Sequence, residues 1–427
     1  MGKYLASPYC CGVLKDYVDV NPPTDCSKLS DNSIVSFVPM TNVQEKTNMV
    51  TYDDVPYEKV KKGFTVFKKG DMIWAKITPC MQNGKSCIVD QMPTEIGFGS
   101  TEFHVIRNKD ERLYMPYLWA ILSNDNVLKA AQAVFNGSAG QQRVSSSFIE
   151  RFPAVIPDYN KQISLVFNLE EKLKQFNEKV FSANELIKNS SFSIMNSLEI
   201  NSINVNKPCF AIKLSDLDGV IDAKRYVNLN NKPTKHTIAD ICEVIDSKVN
   251  VSSYKNREVD WIRIDDLPNQ PIDIAQVRTM PASEIDGTFF EVQENDILVA
   301  RLGPTILNQK IVMVRHTERT TIASAEFLVL RCKEGYNPEA VMAILKTPYY
   351  RDLMYSHSRG STPSRYRLNR EDMLNLPFPD ITDSQTQIAN NAIEVRNKVI
   401  SLRTEAEQDW KAAKEQFEKE LLGETNE

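Results

Sequence analysis

The sequence predicts an α+β protein: two similar mixed α/β domains joined by two long antiparallel coiled-coil helices, a pseudo-two-fold internal repeat. Three observations carry that expectation. A block of sequence recurs, with Asp71 returning as Asp296, an offset of 225. Each copy alternates short β-type segments with turn residues before it becomes helical. Each copy then ends in a helix whose apolar residues follow the roughly 3.5-residue spacing of a helical seam. At roughly 150 residues per domain, 427 residues allow three units or two larger ones; the repeat selects two. The expected boundaries are 1–158 for the first domain, 159–200 for the first long helix, 201–380 for the second domain and 381–427 for the second long helix.

The repeat is legible residue by residue. GDMIWAKITPCMQNGKSCIV, from Gly70, aligns with NDILVARLGPTILNQKIVMV, from Asn295. Asp71 meets Asp296, Lys76 meets Arg301, Pro79 meets Pro304, Asn83 meets Asn308 and Lys85 meets Lys310. GSTEFHVIR meets ASAEFLVLR, so Glu102 pairs with Glu326 and Arg107 with Arg331. Further on, Tyr114-x-Pro116 is matched to Tyr336-x-Pro338, Gly137-Ser138 to Gly360-Ser361, and Gln162-Ile163 to Gln387-Ile388.

The elements follow in the same order in each copy. A β-type segment comes first, VSFVPM near Val35 and VDWIRI near Val259. MIWAKI or ILVARL then forms a strand, and a Pro/Asn/Gly-containing turn separates it from SCIV or IVMV. EFHVIR or EFLVLR is the third strand, and MPYLWAILSNDNVLKAAQ or PEAVMAILKTPYYRDLMY is helical. A Gly/Ser loop with basic residues leads to a Pro-punctuated exit, FPAVIPD or LPFPD, and to the long helix. In the first long helix the seam is Leu169, Leu173, Phe176, Val180, Ala183, Ile187 and Ile194; Leu173, Val180, Ile187 and Ile194 lie seven apart. In the second it is Ile388, Ala392, Val395, Val399, Leu402, Ala406 and Ala413, with Trp410 and Phe417 extending the face. A helix of about 35 residues is roughly 50 Å long, more than one compact domain needs, which favours pairing of helix with helix.

Composition narrows the class. Hydrophobic residues are 42%, charged residues 25% and the net charge is −5, an ordinary globular balance. No run of about 18 apolar residues suggests a membrane span, and the N-terminus lacks a signal-peptide core; the expectation is a cytoplasmic protein. The eight cysteines form no CxxC pair, the four histidines (His104, His236, His316, His357) stand singly, and no zinc-type cluster is formed. Free thiols are expected, Cys10 and Cys11 included. No GxxxxGK[ST] loop or GxSxG elbow is present. Asn21-Pro22-Pro23-Thr24 has the first three residues of the NPP(Y/F) motif of DNA amino-methyltransferases but not its stacking aromatic, and is expected to be a loop that ends the preceding element. Charge is unevenly spread: residues 255–296 hold 4 basic and 10 acidic residues, whereas 351–370 hold five Arg against Asp352, with Glu371 and Asp372 just beyond.

Two similar units held apart by a rod suit a reader of two sites on one polymer, and DNA readers match protein symmetry to half-site spacing. In the first loop, FNGSAGQQRVSSS, the candidates are Ser138, Gln141, Gln142 and Arg143: amides suit adenine edges, and Arg suits guanine or phosphate. In the matching loop, SHSRGSTPSRYRLNR, they are Arg359, Ser361, Arg365, Tyr366, Arg367 and Arg370. Lys76, Thr78, Asn83 and Lys85, with Arg301, Asn308 and Lys310, form a second candidate surface; their recurrence could equally preserve a turn. Glu102 and Glu326 read as structural partners of Arg107 and Arg331, or of a turn, rather than as catalytic carboxylates.

GDMIWAKITPCMQNGKSCIV, GFGSTEF and the GSAGQQRV loop, each followed by a Pro-containing exit and a long helix, resemble the target-recognition and spacer units of type I restriction–modification specificity subunits. The second copy departs from the pattern: TIASAEF lacks the glycines, and GPTILNQK stands for TPCMQNGK. The resemblance implies two target-recognition domains, one per half of a bipartite double-stranded DNA sequence. It implies a non-catalytic chain whose helices set the spacing and dock methyltransferase (M) subunits, with a restriction/translocase (R) subunit joining for cleavage in phage defence. S-adenosylmethionine, Mg and ATP would then belong to those partners, with no cofactor in this chain. The competing readings are a self-contained DNA methyltransferase or nuclease with a duplicated recognition region, and a coiled-coil scaffold protein.

Overall fold

Strand Met72–Ala75 is buried along its whole length, and so is its counterpart Ile297–Ala300. An apolar run with no alternation is what a strand covered on both faces requires. A computed structural model of the chain describes residues 2–137, 142–200, 236–254, 257–268, 270–271, 277–315 and 318–423, without the side chains of Ser252, Ser253 and Pro363. Its residues divide into two compact units, 1–180 with 404–427, and 181–403. The division falls inside both long helices, Tyr159–Ser197 and Gln385–Leu422.

In the first unit a four-stranded antiparallel sheet runs Val18–Val20, Phe103–Asn108, Met72–Ala75, Ser86–Ile88. A second sheet runs Asp53–Pro56, Ile34–Val38, Ile96–Gly99, Thr65–Lys68, and its Ile34–Val38/Ile96–Gly99 pair is parallel. Met72 and Trp74 face the core made with helices Met115–Leu122 and Asp125–Gln132. Ile73 and Ala75 face the core made with Phe67 and Val38 of the second sheet. One strand thus serves two cores, and period-2 alternation is what decides which residue serves which.

The second unit repeats this plan. Its antiparallel sheet runs Cys242–Ile245, Phe327–Cys332, Ile297–Ala300, Ile311–Met313. Its other sheet runs Lys248–Asn250, Thr288–Val292, Thr321–Ala323, Glu258–Ile262, Arg278–Pro281, again with one parallel pair, Glu258–Ile262 on Thr321–Ala323. Lys248–Asn250 is an added edge strand. Met72 pairs with Ile106 and Ile88, and Ile297 pairs with Leu330 and Met313, so the duplicated sheets share one register.

A buried carboxylate fixes each hairpin. Asp71 is buried and accepts from Arg107 Nε at 2.9 Å and Nη2 at 2.7 Å. Asp296 accepts from Arg331 Nε and Nη2, both at 2.8 Å. Each aspartate also caps its own tight turn, taking Lys68 N at 2.7 Å and Gln293 N at 2.9 Å. These aspartates, and not Glu102 and Glu326, are the partners of Arg107 and Arg331, which corrects the sequence expectation. Arg107 reaches on to the Pro23 carbonyl and Thr24 Oγ1, so Asn21-Pro22-Pro23-Thr24 is the loop that closes strand Val18–Val20.

The structure also corrects the repeat alignment. Gln162 takes the Tyr114 N–H at 2.9 Å, the N-cap of helix Met115–Leu122. Gln385 takes the Asn337 N–H at 2.8 Å, the N-cap of helix Pro338–Leu345. Gln162 therefore corresponds to Gln385 rather than Gln387, and Tyr114 to Asn337 rather than Tyr336. A second glutamine two residues on, Gln387, and a tyrosine one residue before, Tyr336, hid the shift.

Both long helices enter each core. In the first unit Leu165, Leu169 and Leu173 share a core with Trp410, Phe417 and Leu421. Trp410 stacks on Trp119, centroids 6.4 Å apart, and meets Phe176 at 6.3 Å. Lys179 pairs with Asp409 at 3.0 Å and Glu405 at 3.5 Å. As the first helix rises from Phe176 to Lys179, its partners fall from Trp410 to Glu405, an antiparallel pairing within this unit. Tyr4 donates to Glu418 at 2.9 Å. In the second unit Ile194 joins Ile388 and Ala389 in a core, Arg403 donates to Asn184 at 3.0 Å, and a cavity is lined by Ile187 opposite Val395 and Val399. Of the remaining seam residues, Val180 and Leu402 are half-buried. The seven described cysteines are free thiols, although Cys242 and Cys332 bring their Sγ atoms to 3.6 Å; Cys209 lies outside the described residues. No helix among the described residues is long and apolar enough to cross a membrane.

Removing Arg107 leaves a buried carboxylate without its cation, a loss of about 3 kcal/mol. Arg107→Ala is therefore expected to lower the denaturant midpoint of the first unit, followed by tryptophan fluorescence, since Trp74, Trp119 and Trp410 all lie in that unit. A joint Asp71→Leu/Arg107→Met replacement is expected to cost less than the single change.

Candidate nucleic-acid interface

The loop arginines are set by backbone first. In the first unit Asn136 and Arg143 exchange both backbone hydrogen bonds, at 3.0 and 2.9 Å. Thr78 N donates to the Gln142 carbonyl at 3.0 Å and Val144 N to the Lys76 carbonyl at 2.9 Å. Arg143 is thereby held between the hairpin strand and the outgoing loop. In the second unit Arg359 and Arg367 exchange both bonds, at 3.0 and 2.8 Å. Gly303 N donates to the Tyr366 carbonyl at 2.7 Å and Leu368 N to the Arg301 carbonyl at 2.9 Å. Arg143 thus corresponds to Arg367, Gln142 to Tyr366 and Asn136 to Arg359.

The side chains repeat as well. Arg143 donates from Nε and Nη2 to the two oxygens of Glu102, at 2.8 and 2.7 Å. Arg367 donates from the same atoms to Glu326, at 3.2 and 2.9 Å. Arg301 adds a third contact to Glu326 at 3.3 Å, and Lys76, its counterpart, lies near enough to Glu102 to act on its charge. The hydrogen bonds from Arg143, helped by its charge and that of Lys76, hold the Glu102 carboxyl below its ordinary value against the opposing effect of burial. Behind the loop, His104 Nε2 meets the Val144 carbonyl at 2.9 Å and Nδ1 meets Asn21 Nδ2 at 3.1 Å. Burial lowers its pKa.

The other candidates divide by what holds them. Lys85 Nζ donates to the Met40 carbonyl at 3.1 Å, and Lys310 Nζ to the Ile264 carbonyl at 3.0 Å. Both lysines tie the hairpin to a loop of the second sheet, so their recurrence preserves an internal joint. Asn83 donates to Glu45 at 2.8 Å, and Thr78 Oγ1 to Gln82 at 2.5 Å. The Asn308 carbonyl accepts from Gln270 N at 2.8 Å. Arg359 pairs with Asp372 at 3.0 Å and Arg370 with Asp246 at 2.7 Å. Tyr366 packs against the Tyr355 ring at 5.9 Å. Ser361 and Arg365 are exposed and Gln142 is half-buried. Ser138 and Gln141 lie outside the described residues.

Each loop therefore presents a guanidinium fork beside an amide in one unit and an aromatic ring in the other. Such forks suit guanine edges or phosphate oxygens. Among the described residues no cluster of His, Cys, Asp or Glu is arranged to hold a metal ion. Sequence reasoning found the arginines but missed their glutamate partners. Glu102 and Glu326 were visible as a recurring position; what joined them to a loop some 40 residues away was the fold.

Because the folded value of Glu102 is lowered, its ion pair is complete above the ordinary glutamate pKa and is lost as pH falls through the lowered one. In a carboxyl-carbon NMR titration Glu102 is expected to titrate below exposed glutamates, and Arg143→Ala to move it back up.

No family model matches the chain. Two curated proteins of Escherichia coli are similar to part of it. The type I restriction enzyme EcoAI specificity subunit is 34% identical over 154 residues, 36% of this chain and 26% of that protein. The EcoEI specificity subunit is 32% identical over 154 residues, with the same coverage. The match thus spans about a quarter of the length of these relatives. Among solved structures, the HsdS subunit from Thermoanaerobacter tengcongensis aligns over 98% of both chains at 13% identity with a TM-score of 0.38. The type I system S subunit from M. genitalium aligns over 96% of this chain and 94% of that one, at 10% identity with a TM-score of 0.40. The chain's curated relatives by sequence are therefore specificity subunits of type I restriction enzymes, the family its motifs resemble.

Proposed function

We propose that the chain is the DNA-binding specificity subunit of a type I restriction–modification complex. The observation that carries this is the duplicated unit: two sheets in one register, each presenting a backbone-pinned arginine, in a chain whose relatives over 154 residues are specificity subunits. Each unit reads one half of a bipartite double-stranded target. The long helices act as an antiparallel coiled coil that sets the distance between the halves and docks methyltransferase subunits. The chain is non-catalytic, works in the cytoplasm, and leaves S-adenosylmethionine, Mg and ATP to its methyltransferase and restriction partners. Lys85 and Lys310 hold the fold, which leaves the two arginine loops as the reading surface.

Comparing methylomes of the host with and without this gene tests the reading. The expected result is loss of one bipartite adenine-methylation motif; retention of every motif, with active companion genes, overturns it. Arg143→Ala is expected to relax one half of the motif, and Arg365→Ala with Arg367→Ala the other, each bidentate base contact being worth about 1–3 kcal/mol of discrimination. Equal weakening toward all sequences would make these arginines phosphate contacts. Deleting one heptad between Leu173 and Ile194 is expected to change the permitted spacer or break assembly; an unchanged spacer would remove the helices from the measuring role.

A further inference from the structure

We infer that Glu102 and Glu326 are specificity-determining positioning residues, acting on DNA through Arg143 and Arg367. The inference rests on the DNA-reading function proposed above. The same two nitrogens of the same residue meet the same carboxylate in both units, although the flanking sequences GFGSTEF and TIASAEF have diverged. Stability does not account for the recurrence. The arginine side chains are 41% and 55% exposed, and ion pairs so open to water add little to folding. The buried pairs of Asp71 and Asp296 already fasten each hairpin.

Orientation accounts for it. A side-on carboxylate engages two of the five N–H donors of a guanidinium, so it aims the fork. The carboxylate also cancels the charge that would attract any phosphate. A fork that is aimed and neutralised gains most from a base edge of matching geometry and least from DNA in general. Each backbone is pinned on both sides, and the glutamate restricts the side-chain torsions.

The test uses the full chain and duplexes selected by the wild-type protein from a random DNA library. Glu102→Gln is expected to raise affinity for scrambled duplex and to lower the selected-to-scrambled ratio by about tenfold, with the loss confined to one half of the target. Glu326→Gln is expected to do the same in the other half. Because the glutamate acts through arginine, adding Glu102→Gln to Arg143→Ala is expected to cost no further discrimination. An unchanged ratio, a loss spread over both halves, or a full additional loss in the double variant overturns the inference. A second readout needs no DNA. In the free wild-type chain Arg143 Nε–H is expected to give a distinct, slowly exchanging NMR signal that Glu102→Gln abolishes; its absence from the wild type overturns the positioning role. Failure of the wild type to select any duplex, with that signal present, overturns the DNA reading and leaves the positioning geometry standing.

Discussion

The aspartate that opens each hairpin is the constraint on which the rest of each unit depends. Asp71 and Asp296 sit where a tight turn becomes a strand buried on both faces. A carboxylate is tolerated there because two charge-assisted bonds from a neighbouring strand and one backbone N–H satisfy it. That choice fixes register, since only one pairing of Met72–Ala75 with Phe103–Asn108 brings Arg107 alongside. A slip by one residue would exchange the faces, sending Met72 and Trp74 toward the second sheet and Ile73 toward the helices. The loop that carries Arg143 is hydrogen-bonded to the end of this same strand, so its position is inherited from the register.

Much of the plan was legible in the sequence. The offset near 225 found two units, the apolar runs found the central strands, and the seven-residue spacing found residues that pack in the cores, from Leu169 and Leu173 to Trp410 and Phe417. What escaped has a physical reason. Lys85 and Lys310 looked like surface charges, but their ammonium groups reach backbone carbonyls of another loop. A long flexible stem can end at a carbonyl as readily as in water, and sequence spacing does not distinguish the two. Glu102 read as a partner of Arg107 or of a turn, whereas Asp71, turned toward that arginine by its tight turn, was the acid within reach. The alignment slipped at Gln162 because the offset between the copies falls from 225 at Asp71 to 223 at Gln162, the difference arising in loops, where length is least constrained.

The net charge of −5 also takes on a different meaning. Arg351, Arg359, Arg367 and Arg370 each face a carboxylate, so the arginine-rich segment is less basic as a surface than as a sequence. Association driven by bulk charge would favour unpaired lysines and salt-sensitive, indiscriminate binding. Pairing shifts the balance from attraction at a distance toward fit at contact.

The shared helices bear on how the chain acquires its fold. The first unit buries Trp410, Phe417 and Leu421 beside Trp119 and Tyr117, and Tyr4 meets Glu418 across 414 positions of sequence. Domains made early on the ribosome ordinarily fold before synthesis ends. Here the amino-terminal sheets must wait, with part of their apolar surface uncovered, until the second long helix has been translated. The second unit, in which the described residues of the helix-facing core fall between Ile194 and Ala389, is complete sooner. The half that is made first is thus the half that matures last, and in the interval its exposed helix-binding face is the part of the nascent chain most in need of protection from aggregation.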